Sequence, residues 1–300
     1  MSVRLVWLHF GSAHRRARII QMAHLLVFLQ NIIRLSLWLA ILSVIFVPLE
    51  RFFAIHAHKT LRKGIGTDLC YYFVSSLLPA ALLSIPAALL GWTVRYIVPG
   101  GVYAATASLP FWAWALAGFV VGEVGYYWGH RWSHQIPFLW RFHSIHHSAE
   151  EVDFLVNTRA HPLDMVFSRF CALVPMYILG LAGPTSASGG STLPVLVILI
   201  GTLWGFFIHA NLRLNLGPLE WLVATPKFHH WHHTKTGLID HNYASIFPWL
   251  DRIFGTHNLP KEWPDAYGID ATVPPAMIDQ LIYPLLPAVE QQNPAVGPSD

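Results

Sequence analysis

Five apolar stretches, at about 22–49, 70–98, 110–128, 164–182 and 193–208, dominate a chain of 300 residues. A helix needs roughly 20 apolar residues to cross a hydrocarbon core, so four or five of these are long enough to do so. Composition agrees: 54% of residues are hydrophobic and only 12% charged, with a mean hydropathy of +0.44, where a soluble domain carries about 25% charged residues. The expected fold is all-α, a multi-pass transmembrane helical bundle of about four to five spans. Residues 1–284 read as one integral-membrane domain, and the polar run at 285–300 reads as a disordered tail.

Charge sets the expected topology. The connection at 51–69 carries Arg51, Lys59, Arg62 and Lys63, whereas that at 99–109 has no Lys or Arg, which places the first in the cytoplasm. Two apolar hairpins then return the chain to the same side, so residues 130–161 and 209–241 share one face. Arg4, Arg15, Arg16 and Arg18 also prefer the cytoplasm, and the side of the N-terminus stays open. The first apolar run is too long for a signal-peptide core and reads as an uncleaved span. Absent retention signals and long loops point to a bacterial inner membrane, or in a eukaryote to the endoplasmic reticulum.

Cys70 and Cys171 lie in or beside apolar segments, so neither a disulfide framework nor a thiolate site is expected. Basic residues are spread thinly, and no nucleic-acid partner is implied.

Histidine carries the chemistry. His130 and His134 stand in HRWSH, His143, His146 and His147 in HSIHH, and His229, His232 and His233 in HHWHH. Imidazole is the commonest transition-metal ligand, and rings at i and i+4 share a helix face. In HxxHH the i+3 ring fans away, so one motif can serve two ions. Two such triplets and a pair suit a dinuclear centre. His161, His209 and His241 are each either ligands or donors near them. His230 reads as support for the neighbouring ligands, and His9, His14, His24, His56, His58 and His257 as incidental.

A bound imidazole usually gives its other N–H to a carboxylate or carbonyl, and Glu150, Glu151, Asp153, Asp164 and Asp240 are near enough in sequence. Glu123 lies within an apolar stretch on the face of His130. A carboxylate there is costly and functional by default, so Glu123 is a candidate catalytic residue, and His161 is the other candidate. The alternative for Glu123 is a hydrogen-bonding partner for a neighbouring Tyr or Trp. Trp112, Tyr126, Tyr127, Trp128 and Trp140 read as interfacial anchors. Nucleophile elbow, Walker loop and dinucleotide fingerprint are all missing. Electrons would therefore come from a separate reductase or small reductant.

At EVGYYWGHRWSHQIPFLWRFHSIHHSAE (123–150), NLGPLEWLVATPKFHHWHH (215–233) and HNYASIFPWLDRIFGT (241–256), the chain resembles the fatty acid hydroxylase and sterol desaturase superfamily. The likeness is greatest to the alkylglycerol monooxygenase branch and its bacterial relatives. It implies a cytosolic, histidine-rich helical cap holding two Fe, for which Zn can substitute. It also implies O2 as co-substrate and hydroxylation of a C–H bond in a membrane lipid: a fatty acyl or alkyl chain, a sterol or an ether lipid. The ligand set it implies is His130, His134, His143, His146, His147, His229, His232 and His233, with His209 at a further matching position. Desaturation by the same centre and a non-enzymatic, histidine-rich metal transporter are the competing readings, alongside a scaffold that keeps a structural metal. A transporter predicts ligands spread along the spans rather than gathered at their ends.

Overall fold

The computed structural model describes residues 3–57, 61–184 and 192–286, with the side chains of 3–17 outside that description. The expected tail at 285–300 lies outside it from residue 287 onward. Among the described residues the fold is helical, with one isolated bridge between Thr234 and Tyr267 and no strand.

The chain divides into two compact units, Met1–Val47 and Pro48–Asp300. The first is most of α1 (Val3–Phe52), a single long helix with Leu25, Phe28, Leu37 and Ile41 exposed. The second begins at Pro48 and contains α2 (Ile65–Ile97), α3 (Gly100–Ala107), α4 (Phe111–Gln135), α5 (Pro137–His147), α6 (Pro162–Ile178), α7 (Thr192–His209), α8 (Pro226–His232), α9 (Trp249–Ile253) and α10 (Met277–Ile282).

Three helices are long and apolar enough to cross a membrane: 18–52 of α1, the whole of α2 and the whole of α7. Of the other expected spans, α6 is 17 residues long, and α4 carries Glu123 and ends in two histidines.

The packing of α4 against α6 follows from glycine. Gly118, Gly122, Gly125 and Gly129 line one side of α4, and a Cβ at Gly125 would collide with the carbonyl oxygen of Cys171. Only a bare backbone allows so close an approach. Farther along, Trp114, Met176, Leu181 and Leu193 close a core between α4, α6 and α7. Tyr127, Tyr243 and Leu250 close another beside the histidine-bearing end of α4. Tyr127 is fully buried and its hydroxyl hydrogen-bonds Thr256 at 2.7 Å, which corrects its reading as an interfacial anchor.

The N-terminal end of α2 is fastened by a buried ion network. Arg62 reaches Asp68 and Asp153 at 2.7 Å each, and Arg159 reaches the other oxygen of Asp68. Opposite charges that satisfy one another in this way make burial tolerable. The network fixes the segment 153–159 against which the metal-facing helices rest.

Candidate metal centre

Each ligand-bearing segment has a local reason for its start or stop. In α5, Pro137 occupies the first turn, where its missing N–H costs nothing. In α8, the Thr225 hydroxyl accepts from Phe228 N at 3.3 Å and Pro226 follows it. His134 lies in the last turn of α4, His147 closes α5 and His209 closes α7.

These ends bring nine imidazoles together in two groups, all buried. His130, His134, His143, His147 and His232 form one, and His146, His209, His229 and His233 the other, with ligand nitrogens within 4.8 Å of one another in each. The two HxxHH motifs are interlaced. In α5 the i and i+4 rings, His143 and His147, join the first group while His146 crosses to the second. At α8 it is reversed: His229 and His233 join the second group and His232 crosses to the first. His147 and His233 stack at 4.4 Å between ring centroids, where the groups meet.

In the second group His209 Nε2 stands 3.2 Å from His146 Nε2, 3.0 Å from His229 Nε2 and 3.3 Å from His233 Nε2. Nitrogens about 2.0–2.1 Å from a shared ion lie roughly 3.0–3.4 Å apart, so this spacing is that of ligands around one metal. The far nitrogens fix the tautomers. His146 Nδ1 donates to Arg159 O at 2.9 Å and His209 Nδ1 to Gly205 O at 2.7 Å. A carbonyl can only accept, so Nε2 keeps its lone pair.

The first group is held in the same manner, largely by one loop. His130 Nδ1 donates to Tyr243 O (2.7 Å), His232 Nδ1 to His241 O (2.7 Å) and His134 Nδ1 to the Asp240 carboxylate (2.9 Å). Asp240 and Asn242 have φ of 61° and 60°, the left-handed region that short polar side chains tolerate. From α6, Asp164 accepts from His143 Nδ1 at 2.9 Å. The Nε2 atoms of His134, His147 and His232 are buried without a protein partner. Such orphans are costly unless something else binds them, and the residues fit a pair of metal ions.

Burial keeps most of these rings neutral. It pushes His130 and His146 down to about 3 and holds His134, His147, His229, His232 and His233 well below the ordinary histidine range, with neighbouring imidazoles adding to the effect. Neutral imidazole is the form that binds metal.

Other expected residues fall elsewhere. Glu123 accepts the backbone N–H of Ile246 and of Phe247, so it steers the segment that follows Tyr243 and stands outside both groups. His161 caps α6: its Nδ1 accepts from Leu163 N at 3.1 Å and its Nε2 donates to Leu281 O at 3.2 Å. His230 Nε2 faces the carbonyls of His209 and Ala210, and its Nδ1 accepts from the Tyr267 hydroxyl at 2.7 Å. His24, His56, His241 and His257 belong to neither group. Asp153 pairs with Arg62 and Glu150 with Lys63.

Two contributors escaped the sequence. Trp140, expected at an interface, lies 5.1 Å from the ring of His134 and 5.6 Å from that of His147. Glu50, at the end of α1, accepts from Phe154 N at 2.8 Å and Asn211 N at 3.0 Å, two residues past His209. A lone acid closing an apolar run was the available signal.

Residues 115–256, which contain every one of these ligands, match the fatty acid hydroxylase family. That match takes in just under half of the chain. It is 32% identical to ornithine lipid hydroxylase OlsE of Rhizobium tropici over 56% of this chain and 49% of that protein. It is 35% identical to alkylglycerol monooxygenase of Danio rerio, over 53% of this chain and 33% of that one. A very-long-chain aldehyde decarbonylase of Oryza sativa subsp. indica is 29% identical over 67% of this chain and 70% of its own length. The match thus spans about a third to a half of the first two relatives. No solved structure matches the chain.

Proposed function

We propose that this protein is an integral-membrane di-iron enzyme that uses O2 to hydroxylate a C–H bond of a lipid. The observation that carries the reading is the convergence of nine buried imidazoles into two groups, five and four, eight of them from three separate motifs and the ninth, His209, from the end of α7. The kinship with lipid hydroxylases and monooxygenases supports a lipid as substrate.

His130, His134, His143, His147 and His232 would hold one iron, and His146, His209, His229 and His233 the other. Iron bound there would supply the chemistry of O2 reduction, in the overall balance R–H + O2 + 2 e⁻ + 2 H⁺ → R–OH + H2O. The chain's own part is to hold Nε2 lone pairs on target, keep the rings unprotonated and exclude water. Asp164 and Asp240 orient His143 and His134, Glu123 positions the segment after Tyr243, and His161 positions the start of α6. The two electrons come from a separate reductase or a small reductant.

Four to five spans, with the histidine cap in the cytoplasm, fit the basic connection at 51–69 and the convergence of both clusters on one side. Desaturation is the second reading, because a Delta(7)-sterol 5(6)-desaturase of Gibberella zeae shares 28% identity over 46% of the chain. Both outcomes begin by hydrogen abstraction.

The test is iron content of the purified, detergent-solubilised protein beside His146→Ala. About two iron per chain, reduced in the variant, supports the centre. Iron absent, or unaffected by the substitution, removes the oxygenase reading.

A further inference from the structure

Asp251, in the short helix α9, is fully buried and takes three neutral donors. One carboxylate oxygen accepts from Tyr243 N and from the Thr256 hydroxyl, each at 2.7 Å, and the other from Ala244 N at 2.9 Å. Burial raises its carboxyl to about 6, which leaves it ionised at neutral pH. A buried charge is costly, and this one lies one peptide group away from a metal-facing imidazole.

The N–H of Ala244 and the carbonyl of Tyr243 belong to the same peptide group. That N–H donates to Asp251, and that carbonyl accepts from His130 Nδ1 at 2.7 Å. Hydrogen bonds in series polarise one another, so the carboxylate acts on the imidazole through a single amide. The path closes on α4. Thr256 spends its hydroxyl proton on Asp251, which makes Tyr127 the donor to Thr256 at 2.7 Å, and Tyr127 stands three residues before His130 on that helix.

Two more imidazoles of the first group meet a carboxylate directly, His134 at Asp240 and His143 at Asp164. The second group is backed differently. His146 and His209 donate to the carbonyls of Arg159 and Gly205, and Nδ1 of His229 and of His233 is buried without a protein partner. A carboxylate behind a ligating imidazole raises its basicity, and negative charge nearby favours the higher charge on a bound cation.

We propose that Asp251 is a positioning residue that tunes His130 through the Tyr243–Ala244 peptide, and that with Asp164 and Asp240 it makes the first group the preferred site for a trivalent ion. This rests on the reading of the two groups as iron sites. The ratio of ferric to ferrous affinity is then at least about tenfold higher in the first group than in the second, which is about 59 mV for a one-electron couple.

The experiment is a mediated redox titration of full-length, iron-loaded protein in uncharged detergent, followed by Mössbauer spectroscopy. Wild type should show two separate midpoints. His229→Ala, in the second group, should remove the upper midpoint and keep the lower. Asp251→Asn, which keeps the side-chain size and removes the charge, should raise the lower midpoint and leave the upper in place at unchanged iron content. Loosened packing alone would reduce iron content without moving one midpoint against the other. A single midpoint in wild type overturns the proposal, as does loss of the lower midpoint in His229→Ala. So do midpoints in Asp251→Asn that stay where they were or move together. Should Asp251→Asn not fold, Asp240→Asn, whose carboxylate is 39% accessible, makes the same comparison at His134. Iron is counted on every sample: a wild type without iron overturns the reading of the centre and this proposal with it, whereas about two iron per chain with one midpoint overturns the inequality alone.

Discussion

His134 gives its Nδ1–H to Asp240 at 2.9 Å, and the two differ sharply in exposure: the imidazole side chain is 2% accessible and the carboxylate 39%. A ligand deep in the centre is thus aimed by a group that solvent reaches. Asp240→Ala should weaken metal binding about 10- to 100-fold, read by chelator competition. An unchanged affinity would show that packing alone orients the ring.

The interlacing of the two HxxHH motifs sets a second expectation. His232→Ala removes a nitrogen from the first group although its two neighbours in the motif serve the second. Metal content should drop from about two per chain to one or fewer, while His230→Ala should retain metal. Equal losses in both variants, measured by elemental analysis, would contradict the assignment.

Glu123 separates two roles by substitution. Glu123→Ala leaves the N–H groups of Ile246 and Phe247 without their acceptor, a loss of about 1–3 kcal/mol in stability. Glu123→Gln keeps an acceptor oxygen and should unfold near the wild-type temperature. Full metal and activity in Glu123→Gln would make the residue a positioning group. Loss of either at unchanged stability would show that its charge acts on the centre.

Histidine burial gives a pH dependence with a definite sign. His130 and His146 are held at about 3, against about 6.5 in an unfolded chain. Between those values the unfolded state binds more protons, so the stability of metal-free protein is full above about pH 6.5 and falls as pH is lowered through that window. Urea midpoints of chelator-treated protein should decline from pH 7.5 to 5. A flat profile would show the rings already protonated in the fold.

Much of the centre was legible because its spacing is local. A helix turns i and i+4 to one side whatever surrounds it, so the clusters declared themselves as a candidate metal site. Which ring serves which ion was not legible, since that depends on how α5 and α8 face each other. Asp164 and Asp240 stood among five acids equally near in sequence, and only packing selects them. The carbonyls of Tyr243, His241 and Arg159 left no trace, because every residue has one. Glu123 was placed on the right face, but its partners lie 123 and 124 residues away. The contact of Trp140 with the His134 and His147 rings was not legible, because aromatic side chains favour helix ends at membrane surfaces and beside imidazole rings alike.

The ligands run from His130 to His233 along the chain, while both cysteines are free thiols. Ions held by both ends of that segment would act as covalent cross-links do, by removing loop freedom from the unfolded state. For a loop of roughly a hundred residues that is about 4–5 kcal/mol in the chain-entropy picture. A loaded centre would then also staple its own domain, and a chain stripped of metal would lose the tether between its first histidine-bearing helix and its last.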